Sequence, residues 1–144
     1  HNVKCIVPNR FPYYLEFMPY NDTIVIYKDD KDGSTNDLVR RADIIFCLDF
    51  HTMSRLDGLS DVIDENQHAK RVLIDHHLDP MEDFDLMISY PEASSTCYLV
   101  ALVIERLYGA ESITKTMAEN LFVGMMTDTN GFFFVFILTY YLFR

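Results

Sequence analysis

The sequence predicts an α/β fold with a mainly parallel sheet flanked by helices. Strand-like apolar runs alternate with segments of helical spacing, and two of the most apolar runs end in acidic residues. The length of 144 residues fits one domain, and an apolar content of 49% suffices for a core. We expect a single domain over residues 1–131, followed by an atypical aromatic tail over residues 132–144.

The first half of the chain contains three strand signals and one helix signal. Residues 3–7 (VKCIV) and 24–27 (IVIY) are short β-type runs. After a turn-rich segment, a helix is expected from a cap at Ser34 or Thr35 to Ala42. Residues 42–50 (ADIIFCLDF) form a continuous apolar run, which predicts a parallel strand buried on both faces.

The second half continues the alternation of strands and helices. Helical spacing across residues 56–63 is followed by a buried run, VLI at 72–74, and by another candidate strand at 84–89. Ser94, Ser95 and Thr96 offer caps for a nearly all-apolar helix that ends at Gly109, and we expect that helix to be buried. An amphipathic helix over 117–125 is then broken by TDTNG at 127–131.

Charge and cysteine content narrow the functional classes. The net charge is −10, and no cluster of Lys and Arg exceeds two residues, which argues against binding duplex nucleic acid through its phosphate backbone. Acidic residues can instead supply metal ligands, and bound divalent cations would reverse the local charge. Three cysteines without a CxxC pair fit a reducing compartment, so we expect a cytoplasmic protein.

The tail is strongly apolar and aromatic. Residues 132–143 (FFFVFILTYYLF) carry no charge, but twelve residues are fewer than the about 18 to 20 that a membrane helix needs. Extending the run backwards would place Asp128 and Asn130 in lipid, which is costly. We therefore favour one or two aromatic strands over membrane insertion, and we expect a homo-oligomer because this surface needs covering.

Acidic and imidazole side chains follow two of the predicted strands. Asp49 ends one buried run, Asp75-His76-His77 follows the next, and Asp128 comes after the last helix. Ligands bind at the carboxyl ends of strands in open α/β sheets, and this donor set suits a divalent cation such as Mn²⁺. Each residue alone would more commonly be a cap or a loop residue. His51 and His68 lack this context and are interpreted as surface residues.

Four motifs in one order resemble the DHH phosphoesterase superfamily: Leu48-Asp49 after ADIIFC, Asp75-His76-His77 after VLI, ASST at 93–96 and GMMTDT at 124–129. The resemblance covers about residues 2–133. It is strongest to the oligoribonuclease (nanoRNase) and 3'-phosphoadenosine-5'-phosphate phosphatase group. Single-strand exonucleases and manganese-dependent inorganic pyrophosphatases are more distant members.

The resemblance implies a role for each motif residue. Asp49 would bridge two Mn²⁺ ions, His76 and Asp128 would be metal ligands, and His77 would act catalytically beside the scissile phosphate. Asp75 would fix the geometry of a site histidine. The helix start at Ser95 would bind substrate through backbone N–H groups, with plain helix capping as the alternative.

The family pattern also contains parts that this chain lacks. An upstream motif of the form DHxxPDGDA and a second, substrate-binding domain with a glycine-rich phosphate site are not found here. We therefore expect at most one well-liganded metal and impaired chemistry. The expected function is manganese-dependent hydrolysis of short single-stranded oligoribonucleotides or 3'-phosphoadenosine 5'-phosphate. The alternatives are a non-catalytic fragment that binds metal, nucleotide or a partner, and the exonuclease or pyrophosphatase branch.

Overall fold

A computed structural model describes residues 3–50 and 52–131 of the chain. The aromatic tail and His51 lie outside the described residues, as do the strands and the oligomer contacts predicted for the tail. The strands are β1 (Ile6–Val7), β2 (Val25–Ile26), β3 (Ile44–Leu48), β4 (Lys70–Asp75) and β5 (Leu86–Ser89). The helices are α1 (Ser34–Arg40), α2 (Leu59–Glu65), α3 (Thr96–Tyr108) and α4 (Lys115–Asp128).

All strand pairs in the described part of the chain are parallel. β1 pairs with β2, and a second sheet has the order β3-β4-β5, in which Leu48 lies opposite Ile74 and Asp75 opposite Ser89. The helix α2 lies between the paired strands β3 and β4, whereas the connection from β4 to β5 contains no helix and that from β1 to β2 contains only 3₁₀ turns. The predicted α/β class is confirmed. The strand predicted over residues 3–7 is shorter than expected, because only Ile6 and Val7 pair.

The strand β3 is not buried on both faces, so that prediction was wrong. Cys47 is buried, but Ile44, Phe46 and Leu48 expose 55%, 58% and 45% of their surface. Successive side chains of a strand point to opposite faces, so these three share one face. Among the described residues no layer covers it, and β3 is an edge strand of its sheet.

One buried cluster holds the helices α1 and α2 against the sheets. Its members are aliphatic, namely Val39, Leu56, Leu59, Val62 and Ile63. Partly buried residues from both sheets pack on this cluster, among them Ile6 and Ile45. Leu56 belongs to a 3₁₀ turn, Met53–Leu56, that lies between β3 and α2, so the helix begins later than the spacing predicted.

The helix α1 begins differently from the prediction. Neither Ser34 nor Thr35 caps it; Gly33, with φ of 75°, is the N-cap. The carboxylate of Asp32 accepts the N–H of Ser34 at 3.0 Å, and that of Asp30 accepts the N–H of Thr35 at 2.7 Å. Two aspartates upstream therefore satisfy N–H groups that a helix start leaves without partners.

The helix α3 has the predicted ends but not the predicted burial. Ser95 caps its start, since its Oγ accepts the N–H of Tyr98 at 3.1 Å, and Gly109 with φ of 85° follows its last residue. Leu99 is buried against the sheet side, whereas Leu102 and Leu107 are exposed. An apolar composition alone did not reveal that one side of this helix would be exposed.

No helix in residues 3–50 and 52–131 has the length and apolar character needed to cross a membrane.

The helix α4 continues past the predicted break and crosses α3 closely. It extends through Asp128, and the chain turns only at Asn130 and Gly131, which have positive φ. A Cβ atom built at Gly124 would overlap the Sγ atom of Cys97 on α3. The glycine therefore allows a close crossing of the two helices, which sets the position of Asp128 one turn later.

Candidate active site

The site forms at the carboxyl edge of the β3-β4-β5 sheet. Asp49 directly follows β3, and its N–H donates to the carbonyl of Ile74 at 3.2 Å, which places it beside the end of β4. Its φ of 66° turns the chain away from the strand direction. Asp75 is the last residue of β4, and His76 and His77 follow it. Parallel pairing thus brings the two predicted motifs to one edge.

His76 lies between two carboxylates. Its Nε2 atom is 3.0 Å from Oδ2 of Asp128 and 3.8 Å from Oδ1 of Asp49. Its other ring nitrogen, Nδ1, lies 3.1 Å from the carbonyl oxygen of Ala93. Because a carbonyl can only accept, Nδ1 carries the proton, and in the neutral ring the lone pair of Nε2 faces the two carboxylates.

This donor set fits a divalent cation. A neutral imidazole nitrogen and the carboxylate oxygens within 4 Å of it are all acceptors, so a shared cation or an extra proton must lie between the nitrogen and each oxygen. Two ligands at about 2.1 Å from an ion on perpendicular axes lie about 3 Å apart, as Nε2 of His76 and Oδ2 of Asp128 do. We refer to Asp49, His76 and Asp128 as the candidate metal set.

The buried carboxylate of Asp75 orients His77. The Oδ1 atom of Asp75 lies 2.7 Å from Nδ1 of His77, and its Oδ2 accepts the backbone N–H of His77 at 3.2 Å. Asp75 is fully buried, with 0% of its surface exposed. Atoms of Asp49, His76 and His77 also lie within 4.8 Å of one another, so His77 is close enough to contact the same ion or its substrate.

Sequence reasoning missed Thr96, which supports Asp49. The Thr96 hydroxyl donates to Oδ1 of Asp49 at 2.8 Å, and Thr96 is itself buried at the start of α3. The neighbouring Ser95 is buried as well, and its side chain caps the helix. The substrate-binding role expected for Ser95 stays a prediction. The ASST motif was visible in the sequence, but only the fold brings Thr96 to Asp49.

Arg55 is a second residue that sequence reasoning did not single out. Its Nη1 atom lies 3.4 Å from Nε2 of His77, so a guanidinium donor faces the nitrogen that Asp75 leaves without a proton. Arg55 is exposed and lies on the 3₁₀ turn that follows Asp49 by a few residues. His68, interpreted as a surface residue, is exposed and lies two residues before β4, at the end of the strand away from the site.

Electrostatics at the site reflect crowded acidic groups. Burial raises the pKa of the Asp128 carboxyl; His76 opposes the shift, and the carboxylate of Asp49 adds to it. Burial also raises the pKa of the Cys97 thiol, with further contributions from the same two carboxylates. Both shifts disfavour negative charge on these two groups, as expected for partly buried groups close to other carboxylates.

Comparison with known proteins agrees with the motif order. The model of the DHH family, N-terminal domain, matches residues 1–125. A crystal structure of an exopolyphosphatase-related protein from Bacteroides fragilis matches with a TM-score of 0.86 and 40% sequence identity. The match covers 91% of this chain and 38% of that one, so the chain spans well under half of that protein's length. No curated protein matches the chain. The residues matched by the family model include Asp49 and the Asp75-His76-His77 motif, and the chain belongs to the DHH family, whose N-terminal domain it carries.

Proposed function

We propose that this chain is the metal-binding domain of a manganese-dependent phosphohydrolase. The observation that carries the proposal is the position of His76 Nε2, which lies 3.0 Å from Oδ2 of Asp128 and 3.8 Å from Oδ1 of Asp49. An imidazole nitrogen with two carboxylates within 4 Å binds a cation better than these groups pack together without one. Nitrogen and oxygen donors suit Mn²⁺ among the borderline and hard divalent ions.

Each site residue has a proposed role in hydrolysis. Asp49, His76 and Asp128 would hold the cation, and the carbonyl of Ala93 keeps His76 in the tautomer that ligation needs. A divalent ion held this way lowers the pKa of a water molecule and stabilises negative charge on phosphoryl oxygens. Asp75 fixes His77 beside that point, where the imidazole would contact the phosphate of the substrate.

The proposed substrates are short single-stranded oligoribonucleotides or 3'-phosphoadenosine 5'-phosphate. The order of motifs supports this group of the DHH family, and the acidic surface disfavours long duplexes. The exopolyphosphatase-related relative makes polyphosphate a second candidate substrate. All three contain a phosphoryl group whose charge the cation would neutralise, so the same site residues would serve each.

Metal titration tests the first half of the proposal. We expect Mn²⁺ to bind the 144-residue chain, and His76→Ala to weaken binding by at least about 100-fold because a ligand is lost. The matched control is His68→Ala, which removes an exposed imidazole elsewhere and should leave affinity within about twofold. Equal Mn²⁺ affinity in both variants and the unsubstituted chain would contradict the proposed metal site.

Turnover tests the second half. Cleavage of a diribonucleotide into its two nucleotide fragments, and phosphate release from 3'-phosphoadenosine 5'-phosphate and from polyphosphate, should be near background for this chain, because a single ion stabilises only part of the transition-state charge. Extending the chain with the upstream motif and the second domain of its family should raise turnover. Robust hydrolysis by the 144-residue chain would contradict the impairment, and an inactive extended chain with its metal bound would contradict the enzyme proposal and favour a metal-binding or interaction role.

A further inference from the structure

We infer that Arg55 is the anion-binding side chain of this site and receives a phosphoryl oxygen of the substrate next to His77. The inference rests on the proposed function for the identity of the ligand, but its geometry is independent of the metal. The guanidinium Nη1 lies 3.4 Å from Nε2 of His77, and the side chain is exposed. An incoming anion therefore has access to the guanidinium.

The turn that carries Arg55 is held by its own hydrogen bond and by contacts on both sides of Arg55 with other parts of the chain. Leu56, the next residue, is 6% exposed and packs in the aliphatic cluster beneath the sheet. The N–H of Arg55 donates to the carbonyl of Thr52 at 3.2 Å, and Asp57 accepts the side-chain amide of Asn9 at 3.2 Å. The backbone position of Arg55 is therefore set by packing, while its long side chain remains able to turn between His77 and a ligand.

The contact between Arg55 and His77 leaves hydrogen-bonding capacity unused. A guanidinium has five N–H donors in a planar fork, and the 3.4 Å contact involves one of them at a long distance. Carboxylates dominate the rest of the site, with Asp49, Asp75 and Asp128 around the two histidines. A phosphate that enters this acidic edge needs donors besides a cation, and Arg55 offers two parallel N–H groups suited to it.

Occupancy of the site would also change the surroundings of His77. While Arg55 donates to Nε2 of His77, that lone pair is engaged; when the guanidinium turns to a phosphoryl oxygen, Nε2 no longer receives that donor and can accept a hydrogen bond from an O–H group beside the phosphate. Asp75 keeps the ring in place in both arrangements, because its contact is with Nδ1 and the backbone. Arg55 thus links substrate binding to the availability of His77.

Phosphate affinity tests the inference. The chain, loaded with Mn²⁺, is titrated calorimetrically with inorganic phosphate in its unsubstituted form and as Arg55→Gln, Arg55→Lys and Arg41→Gln. We expect Arg55→Gln to weaken phosphate binding by about 10- to 100-fold, as for loss of a charged hydrogen bond, and Arg55→Lys to weaken it less. Arg41→Gln is the matched control, since Arg41 is exposed and precedes β3 at the opposite edge of the sheet.

Mn²⁺ affinity is measured on the same variants and should not fall in Arg55→Gln, because arginine does not ligate metals. Phosphate affinity unchanged by Arg55→Gln, or no phosphate binding by the unsubstituted chain, would overturn the inference. Failure of the proposed function looks different: Mn²⁺ and phosphate would bind, with the predicted loss in Arg55→Gln, and yet no phosphoester would be hydrolysed by the extended protein. The two proposals therefore fail through separate measurements.

Discussion

Asp75 engages His77 through both carboxylate oxygens, Oδ1 at 2.7 Å from the ring Nδ1 and Oδ2 at 3.2 Å from the backbone nitrogen. A fully buried carboxylate needs such donors, since an unpaired charge without solvent is costly. The arrangement also sets the tautomer of His77, because Nδ1–H donates to Asp75 and Nε2 keeps its lone pair. The burial of Asp75 and the tautomer of His77 thus depend on the same two contacts.

Replacing Asp75 by Asn should lower stability and switch the tautomer of His77. The amide keeps one acceptor for the backbone N–H, but its NH₂ group then faces Nδ1, which forces the ring proton onto Nε2. Loss of the charged hydrogen bond should cost about 1.5 to 3 kcal/mol. Urea unfolding measures the first effect, and imidazole ¹⁵N shifts of His77 measure the second.

Asp64→Asn provides the control for Asp75→Asn. Asp64 forms an ion pair with Arg71 at 2.9 Å, but its side chain is 60% exposed, so its loss should cost less than about 1 kcal/mol. Equal destabilisation by the two substitutions, or an unchanged tautomer of His77 in Asp75→Asn, would contradict the role given to Asp75.

Gly124→Ala should destabilise the chain, although helix propensity alone predicts the opposite. Alanine in a helix interior is favoured over glycine by about 1 kcal/mol. Here the added methyl group would overlap Sγ of Cys97, and such overpacking costs about 1 to 3 kcal/mol. Because Asp128 lies one turn further along α4, Mn²⁺ affinity should fall as well.

The double variant Gly124→Ala with Cys97→Ala separates these two contributions. Removing the sulfur makes room for the methyl group, so thermal unfolding and Mn²⁺ titration should both return toward the values of the unsubstituted chain. Failure of Cys97→Ala to rescue either property would show that the close crossing of α3 and α4 is not the reason for the glycine.

The sequence was sufficient to predict that Asp49 and His76 would meet at one edge of the sheet. Two apolar runs ended in Asp49 and in Asp75-His76-His77, and parallel strands present their carboxyl ends at one edge. This rule does not depend on the conformation of the loops that follow the strands. The approach of Asp49 to His76 therefore followed from the strand pattern alone. The capping role of Ser95 was predictable for a similar reason, because it depends on neighbours in the chain.

Features that depend on distant packing were not predictable. Thr96 reaches Asp49 and Arg55 reaches His77 only because separate elements meet in three dimensions. The exposed face of β3, where Phe46 lies, has the same apolar composition as a buried strand, and composition does not tell which faces receive a covering layer. Asp128 was expected to follow α4, but it is the last residue of that helix. The motif TDTNG changes the chain direction only at Asn130 and Gly131, where φ is positive.

The start of α1 should make stability depend on pH in the acid range. Hydrogen bonds from the side chain and the N–H of Thr35 hold the pKa of Asp30 well below its usual range. A carboxyl whose pKa is depressed in the folded state stabilises that state at pH values above its pKa in the unfolded chain, about 3.9. This stability is lost as the pH falls from there toward the pKa of the folded state. Asp30→Asn should therefore be less stable than the unsubstituted chain at pH 7, and the difference should shrink at pH 3. A difference that grows on acidification would contradict this assignment.

Asp128→Asn should stabilise the metal-free chain while removing its response to metal. Burial raises the pKa of this carboxyl, so its contribution to stability is present at low pH and is lost as pH rises through the folded value. At pH 7 the metal-free carboxylate is therefore unfavourable beside Asp49. An amide carries no charge and can donate to the lone pair of His76 Nε2, which lies 3.0 Å from a carboxylate oxygen in the unsubstituted chain.

In the unsubstituted chain, Mn²⁺ offsets the same repulsion by binding the folded state, and excess metal should raise the melting temperature. Thermal unfolding of both chains at pH 7, with a chelator and with Mn²⁺, distinguishes these effects. A lower melting temperature of Asp128→Asn in chelator would contradict the unfavourable charge of Asp128 in the metal-free chain. A metal-induced increase equal to that of the unsubstituted chain would show that Asp128 is not a metal ligand.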